Sequence, residues 1–140
     1  MTWMNGEVKL QDRNAYVSLD SRFEENVPFV ELPCINWFGI WARSPTPLDA
    51  YFPEDEEKSY LALERRLIEI AGETSDGWAV YCMRVLSRGI AELYFYSKDS
   101  ATLAKVLTAL KAEFPNYRVE HEAKNDQSWS EYFKYLKAIR

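Results

Sequence analysis

The chain has 140 residues, 47% of them hydrophobic and 15% aromatic, and a net charge of -5. That suffices for one domain with a single core, and the acidic balance disfavours a phosphate-backbone partner, whose affinity comes from Lys and Arg. No stretch approaches the roughly 20 apolar residues that span a bilayer, and no signal peptide is legible in MTWMNGEVKLQDRN.

Residues 1–13 are polar and poorly patterned, and are expected to be less ordered. NAYVSLDSRF (14–23) alternates, with Ala15, Val17 and Leu19 opposite Tyr16, Ser18 and Asp20, the pattern of a half-buried strand. After a connection broken by Pro28 and Pro33, INWFGIWARS (35–44) reads as the next strand. Its Phe38, Ile40 and Ala42 share one face, and Trp37, Gly39, Trp41 and Arg43 share the other. A proline-rich loop (45–57) leads into a helix over about 54–72, marked by Tyr60, Leu63, Leu67, Ile70 and Ala71. The acidic run Glu54–Glu57 suits the positive end of that helix and requires no cation, and Gly72 is a plausible stop.

GWAVYCMRVLSRGIAELYFYS (77–97) reads as two strands joined by a tight turn at Ser87–Gly89. Asp99 or Ser100 starts a second helix, about 100–114, with Leu103, Val106, Leu107, Leu110 and Phe114 on its apolar stripe. YRVEHEAK (117–124) is a further strand, and SWSEYFKYLKAIR (128–140) an amphipathic helix. The expected fold is α+β: a ferredoxin-like β-α-β-β-α-β sandwich with a mainly antiparallel sheet and both helices on one face. The strand at 14–23 is expected beside 36–43, and residues 1–140 are read as one domain.

In such a sheet Phe38, Ile40, Leu93 and Phe95 point at the two helices. Tyr16, Trp37, Trp41, Tyr94 and Tyr96, with Arg84 and Arg118, fall on the far face. That face is either roofed by the C-terminal helix through Trp129, Phe133 and Leu136, or open as an aromatic recognition platform. Trp41, Tyr94 and Tyr96 are the candidate protein-binding residues there. Tyr51 and Phe52 on the proline-rich loop are two more, with a staple onto the first helix as their structural alternative.

Catalytic patterns are missing from the sequence. His121 is the only histidine, there is no C-x-x-C pair, and neither phosphate-cradling glycine motif occurs. No catalytic residue, metal ligand or cofactor is assigned. Cys34 and Cys82 sit in apolar settings as free thiols, which with the missing leader points to the cytoplasm.

The segments AYVSLD, LPCINWFGIWAR, LIEIAGE, AELYFYSKD, AEFPNYRVE and DQSWSEYFKYL carry a resemblance to the bacterial domain of unknown function 695 family. The resemblance runs from about Ala15 to Leu136 and implies a small α+β domain without known catalytic residues. It also implies kinship with the ferredoxin-like inhibitors of ribonuclease E, while size and acidity alone match immunity proteins that neutralise toxins. The expected role is binding of a protein partner, a nuclease or toxin among the candidates, without chemistry. A single-stranded nucleic-acid or small-ligand binder using the aromatic face is the alternative, as is a homodimer through the 14–23 edge or the open face.

Overall fold

The computed structural model describes residues 3–10 and 13–140. Its strands are β1 (Trp3–Lys9), β2 (Asn14–Asp20), β3 (Cys34–Trp41), β4 (Ala79–Ser87), β5 (Ile90–Ser97) and β6 (Arg118–Asn125). Its helices are α1 (Glu57–Ser75), α2 (Val106–Glu113) and α3 (Ser130–Ala138). All six strands form one antiparallel sheet in the order β1-β2-β4-β5-β3-β6.

From β3 onward the chain follows the expected succession of elements. The strand order does not follow the expected one. β2 pairs with β4 and not with β3, because β3 is already flanked by β5 and β6. The stretch 1–13, read without an element, contributes β1, which pairs with β2 along its whole length. β2 is therefore an interior strand, and the homodimer edge expected at 14–23 does not exist.

Two apolar layers sandwich the sheet. On the first face α1 and α2 cover Phe38, Ile40, Leu93, Phe95 and Val119 with Leu63, Leu67, Ile70, Val106 and Leu110. On the second face α3 covers Val17, Leu19, Met83, Val85, Tyr94 and Tyr96 with Trp129, Tyr132, Tyr135 and Leu136. Phe133, expected to bury, is 37% exposed.

Local chemistry sets the element ends. α1 starts three residues later than expected, after one 3-10 turn at Glu54–Glu56. It runs through Gly72 and stops at Asp76, whose left-handed φ of 53° ends the helix. α2 also starts late: Asp99 accepts from the backbone N–H groups of Ala101 and Thr102, which holds a turn ahead of the helix. The β4–β5 hairpin turns at Arg88 and Gly89, both with positive φ, as a two-residue turn requires.

Candidate partner-binding face

α3 roofs only part of the second face. It is pinned at its start by Asp126, a buried carboxylate that accepts from the Tyr96 hydroxyl at 2.6 Å and from the Ser130 N–H and hydroxyl at 2.9 and 2.6 Å. Burial pushes the Asp126 pKa up, but these donors and the Glu131 N–H outweigh it and hold the carboxyl below its ordinary range. The Trp129 indole stacks on Tyr96 at 3.7 Å and donates to the Leu32 carbonyl. At the other end Ile139 lies 3.2 Å from the Cβ position of Gly6 on β1. Between these points α3 crosses β5, β4 and β2, and the Tyr132 hydroxyl donates to the Asp20 carbonyl.

What remains uncovered is the second face of β3 and β6. Cross-strand register puts Lys124 beside Ile35, Glu122 beside Trp37, Glu120 beside Gly39 and Arg118 beside Trp41. Gly39 is required here: a Cβ at this position would meet the Trp37 ring at 2.5 Å and the Trp41 ring at 3.0 Å. The two indoles therefore lie across the strand, 6.1 Å apart and edge to face. Trp37 Nε1 donates to Glu92 at 2.6 Å, and the Arg118 guanidinium sits 4.0 Å over the Trp41 ring. Glu92 is also 3.6 Å from Arg13.

A cleft of about 500 Å³ opens between this strip and α3. Its floor is Ile35, Trp37 and Tyr94, and its walls are Glu122, Ala123 and Lys124 of β6 and Glu131 of α3. Glu131 is 3.7 Å from Lys134, an exposed ammonium, while Glu122 has no ion-pair partner among the described residues. An apolar floor beside the unpaired Glu122 suits a cationic group with an aliphatic stem.

The structure divides the five expected binding residues. Trp41 is half-buried on the open strip, and Tyr94 lines the cleft while only 8% exposed. Tyr96 is fully buried between Asp126 and Trp129, so it is core and not contact surface. Tyr51 and Phe52 belong to the other face. Phe52 packs on Tyr60 of α1 at 4.7 Å, as a staple would, and Tyr51 lies 5.8 Å from Tyr16 and donates to Glu7. Tyr16 and Arg84 were expected beside Trp37; both are on the first face, where Arg84 pairs with Glu64 of α1 at 3.1 Å. The bulge in β4 between Tyr81 and Met83 sets this phase, because it fixes which side chains of β4 and β2 meet α3.

Glu56 is a structural carboxylate that the sequence reading missed. Only 3% exposed, it accepts from the Arg43 and Ser44 N–H groups, the Ser44 hydroxyl and, at 2.9 Å, the Tyr117 hydroxyl. His121 is equally structural: its ring stacks on Phe38 at 4.3 Å, and Nε2 is 2.9 Å from Asn36 Oδ1. Cys34 and Cys82 are buried and free. Among the described residues no group of three or more His, Cys, Asp or Glu is placed to hold a metal, and no helix is long and apolar enough to cross a membrane.

These features define an α+β domain with one open aromatic strip beside a free sheet edge. The model of a family of unknown function, DUF695, matches residues 1–137, and the chain belongs to that family. No curated protein and no solved structure matches it.

Proposed function

We propose that this is a non-enzymatic protein-binding domain that docks a cationic segment of its partner on the Trp37–Trp41–Tyr94 strip. The observation that carries the reading is the cleft where α3 stops short, with its aromatic floor and the unpaired Glu122 at its wall. Aromatic residues are enriched in interface cores, and a negative rim selects a positive partner and speeds encounter. Phosphate is the wrong sign for this rim, so nucleic acid is a poor occupant. Regulators and immunity-type modules that cap a nuclease or toxin fit this description. The reading places the domain in the cytoplasm, consistent with two free thiols. It also links the β3–β6 portion to ferredoxin-like domains, supported by its two crossovers through α1 and α2.

The test is affinity capture from native lysate with nuclease present, comparing the wild-type chain with Glu122→Lys. A protein retained stoichiometrically by the first and lost by the second, with Tm unchanged, supports the reading. Equal retention by both removes the cleft from the interface. A small cationic ligand is the second reading, favoured because the cleft falls in the ~300–1,000 Å³ range of small-molecule sites. Heat of binding with free amines would reveal it.

A further inference from the structure

The cleft lies against the last strand of the sheet. Its wall contains three consecutive residues of β6, Glu122, Ala123 and Lys124. Glu122 and Lys124 point onto the second face with Ala123 between them, so the cleft is bounded on one side by this strand. Among the described residues β6 is the last strand of the sheet and pairs only with β3. Its outer N–H and C=O groups are a template for another strand. The charges along its second face run plus, minus, minus, plus: Arg118, Glu120, Glu122, Lys124.

We propose that β6 accepts an extended strand from the partner protein, with basic side chains opposite Glu120 and Glu122 and acidic ones opposite Arg118 and Lys124. The inference rests on the protein-binding reading above and names how the partner is held. Main-chain hydrogen bonds supply the grip, and the charge order and the cleft supply the choice of sequence. The basic side chain beside Glu122 is the one that enters the cleft over Trp37.

The same charge order disfavours the self-pairing register that would lay the whole of β6 along a second copy of itself. Antiparallel self-pairing centred on His121 would set Glu120 against Glu122 and Arg118 against Lys124, like against like throughout. Centres at Val119 or Ala123 set Arg118 against Glu120 or Glu122 against Lys124, so self-pairing in those shorter registers is the competing occupant, and sedimentation of the chain alone as a dimer would overturn the assignment to a partner strand. A partner strand with two central basic residues meets no such conflict in either direction, because the charge order reads the same both ways.

The experiment uses the full chain and a capped synthetic peptide, Glu-Val-Lys-Val-Lys-Val-Glu. Binding is read by tryptophan emission, and strand addition by hydrogen exchange at individual β6 amides. Binding with slowed exchange at alternate β6 amides is the expected result. Glu122→Lys should then weaken the peptide about tenfold, since it turns a cross-strand attraction into a repulsion. Binding that leaves β6 exchange unchanged overturns strand addition while the cleft reading stands. Equal affinity for the charge-exchanged peptide, with glutamates inside and lysines outside, overturns the charge register. No emission change at millimolar concentration with this peptide or its scrambled form overturns both the inference and the cleft reading.

Discussion

Replacing Glu56 by Gln removes one negative charge from a nearly closed site while keeping the side chain's shape. The carboxylate is a hub: it ties the segment after β3, through Arg43 and Ser44, to the start of α1 and to Tyr117 ahead of β6. Burial pushes its pKa up. The Ser44 hydroxyl, the Arg43 and Ser44 N–H groups and the Tyr117 hydroxyl more than reverse that, taking it from an ordinary 4.5 to about 2. A carboxyl held below its unfolded value stabilises the fold at every pH above that unfolded value. It loses this contribution as pH falls from about 4.5 through about 2. At roughly 1.4 kcal/mol per pH unit the gap is worth about 3 kcal/mol, a large share of the ~5–15 kcal/mol expected for a domain. Urea unfolding followed by circular dichroism between pH 2 and 8 reads it directly. Glu56→Gln should be less stable by about 3 kcal/mol at pH 7, and the two proteins should converge as pH approaches 2. Asp99 and Asp126 are also held low by their donors, but their acid losses are common to both proteins and cancel in the difference. A difference that stays constant from pH 7 to pH 3, or stays below about 1 kcal/mol at pH 7, would refute the assignment.

Core and rim should separate by mutation. Tyr96→Ala removes a fully buried ring from its stack on Trp129 and should cost about 3–5 kcal/mol, a fall in Tm of about 10 °C or more by thermal melting. Trp41→Ala, on a half-buried ring, should lower Tm by less than half as much while abolishing partner capture; equal losses would place both rings in the core. Gly39→Ala forces the Trp37 indole away from a Cβ only 2.5 Å distant, so tryptophan emission should shift and stability should fall by about 1–3 kcal/mol. Unchanged emission would mean that the ring does not lie over Gly39. Asp126→Ala leaves the Tyr96 hydroxyl and the first N–H groups of α3 without their acceptor and should loosen that helix, read as faster hydrogen exchange confined to Ser130–Ala138.

Apolar spacing together with turn and cap residues such as Gly89 and Asp99 marks β2 through β6 and all three helices. β1 escaped since its second-face row is Met4, Gly6, Val8: the glycine needed for the approach of Ile139 interrupts the alternation. The neighbour of β2 was not legible for a different reason. Alternation says that a strand has an inner face, not which strand lies beside it, and β4 is apolar enough on both faces to accept either phase. That ambiguity, resolved by the bulge between Tyr81 and Met83, is why Tyr16 and Arg84 lie on the first face, whereas Tyr96 keeps its expected face and is buried there by Trp129. Glu56 left no local trace, because its donors lie 12 to 61 residues away in sequence and its neighbours Glu54, Asp55 and Glu57 are the exposed residues the helix-start reading describes.

The open strip follows from where α3 is anchored. Asp126 takes the Tyr96 hydroxyl and the first N–H groups of α3 at the end of β5, and from there the helix runs toward Gly6 on β1, away from β3 and β6. A helix of nine residues is about 13 Å long and, at about 4.8 Å between strands, cannot roof all six. The strands it leaves bare are the ones bearing two tryptophans on a glycine bed and, at the sheet edge, two glutamates flanked by Arg118 and Lys124. Had that face been intended only for solvent, Trp37 and Trp41 would be costly choices: half-exposed indoles packed over a strand carry apolar area that water disfavours. Had it been intended as core, Glu122 would be the costly choice, a carboxylate at the wall with no ion-pair partner among the described residues. Indole floor and unpaired carboxylate are reconciled by an occupant that brings both apolar surface and positive charge, and a lysine or arginine side chain on an added strand brings both.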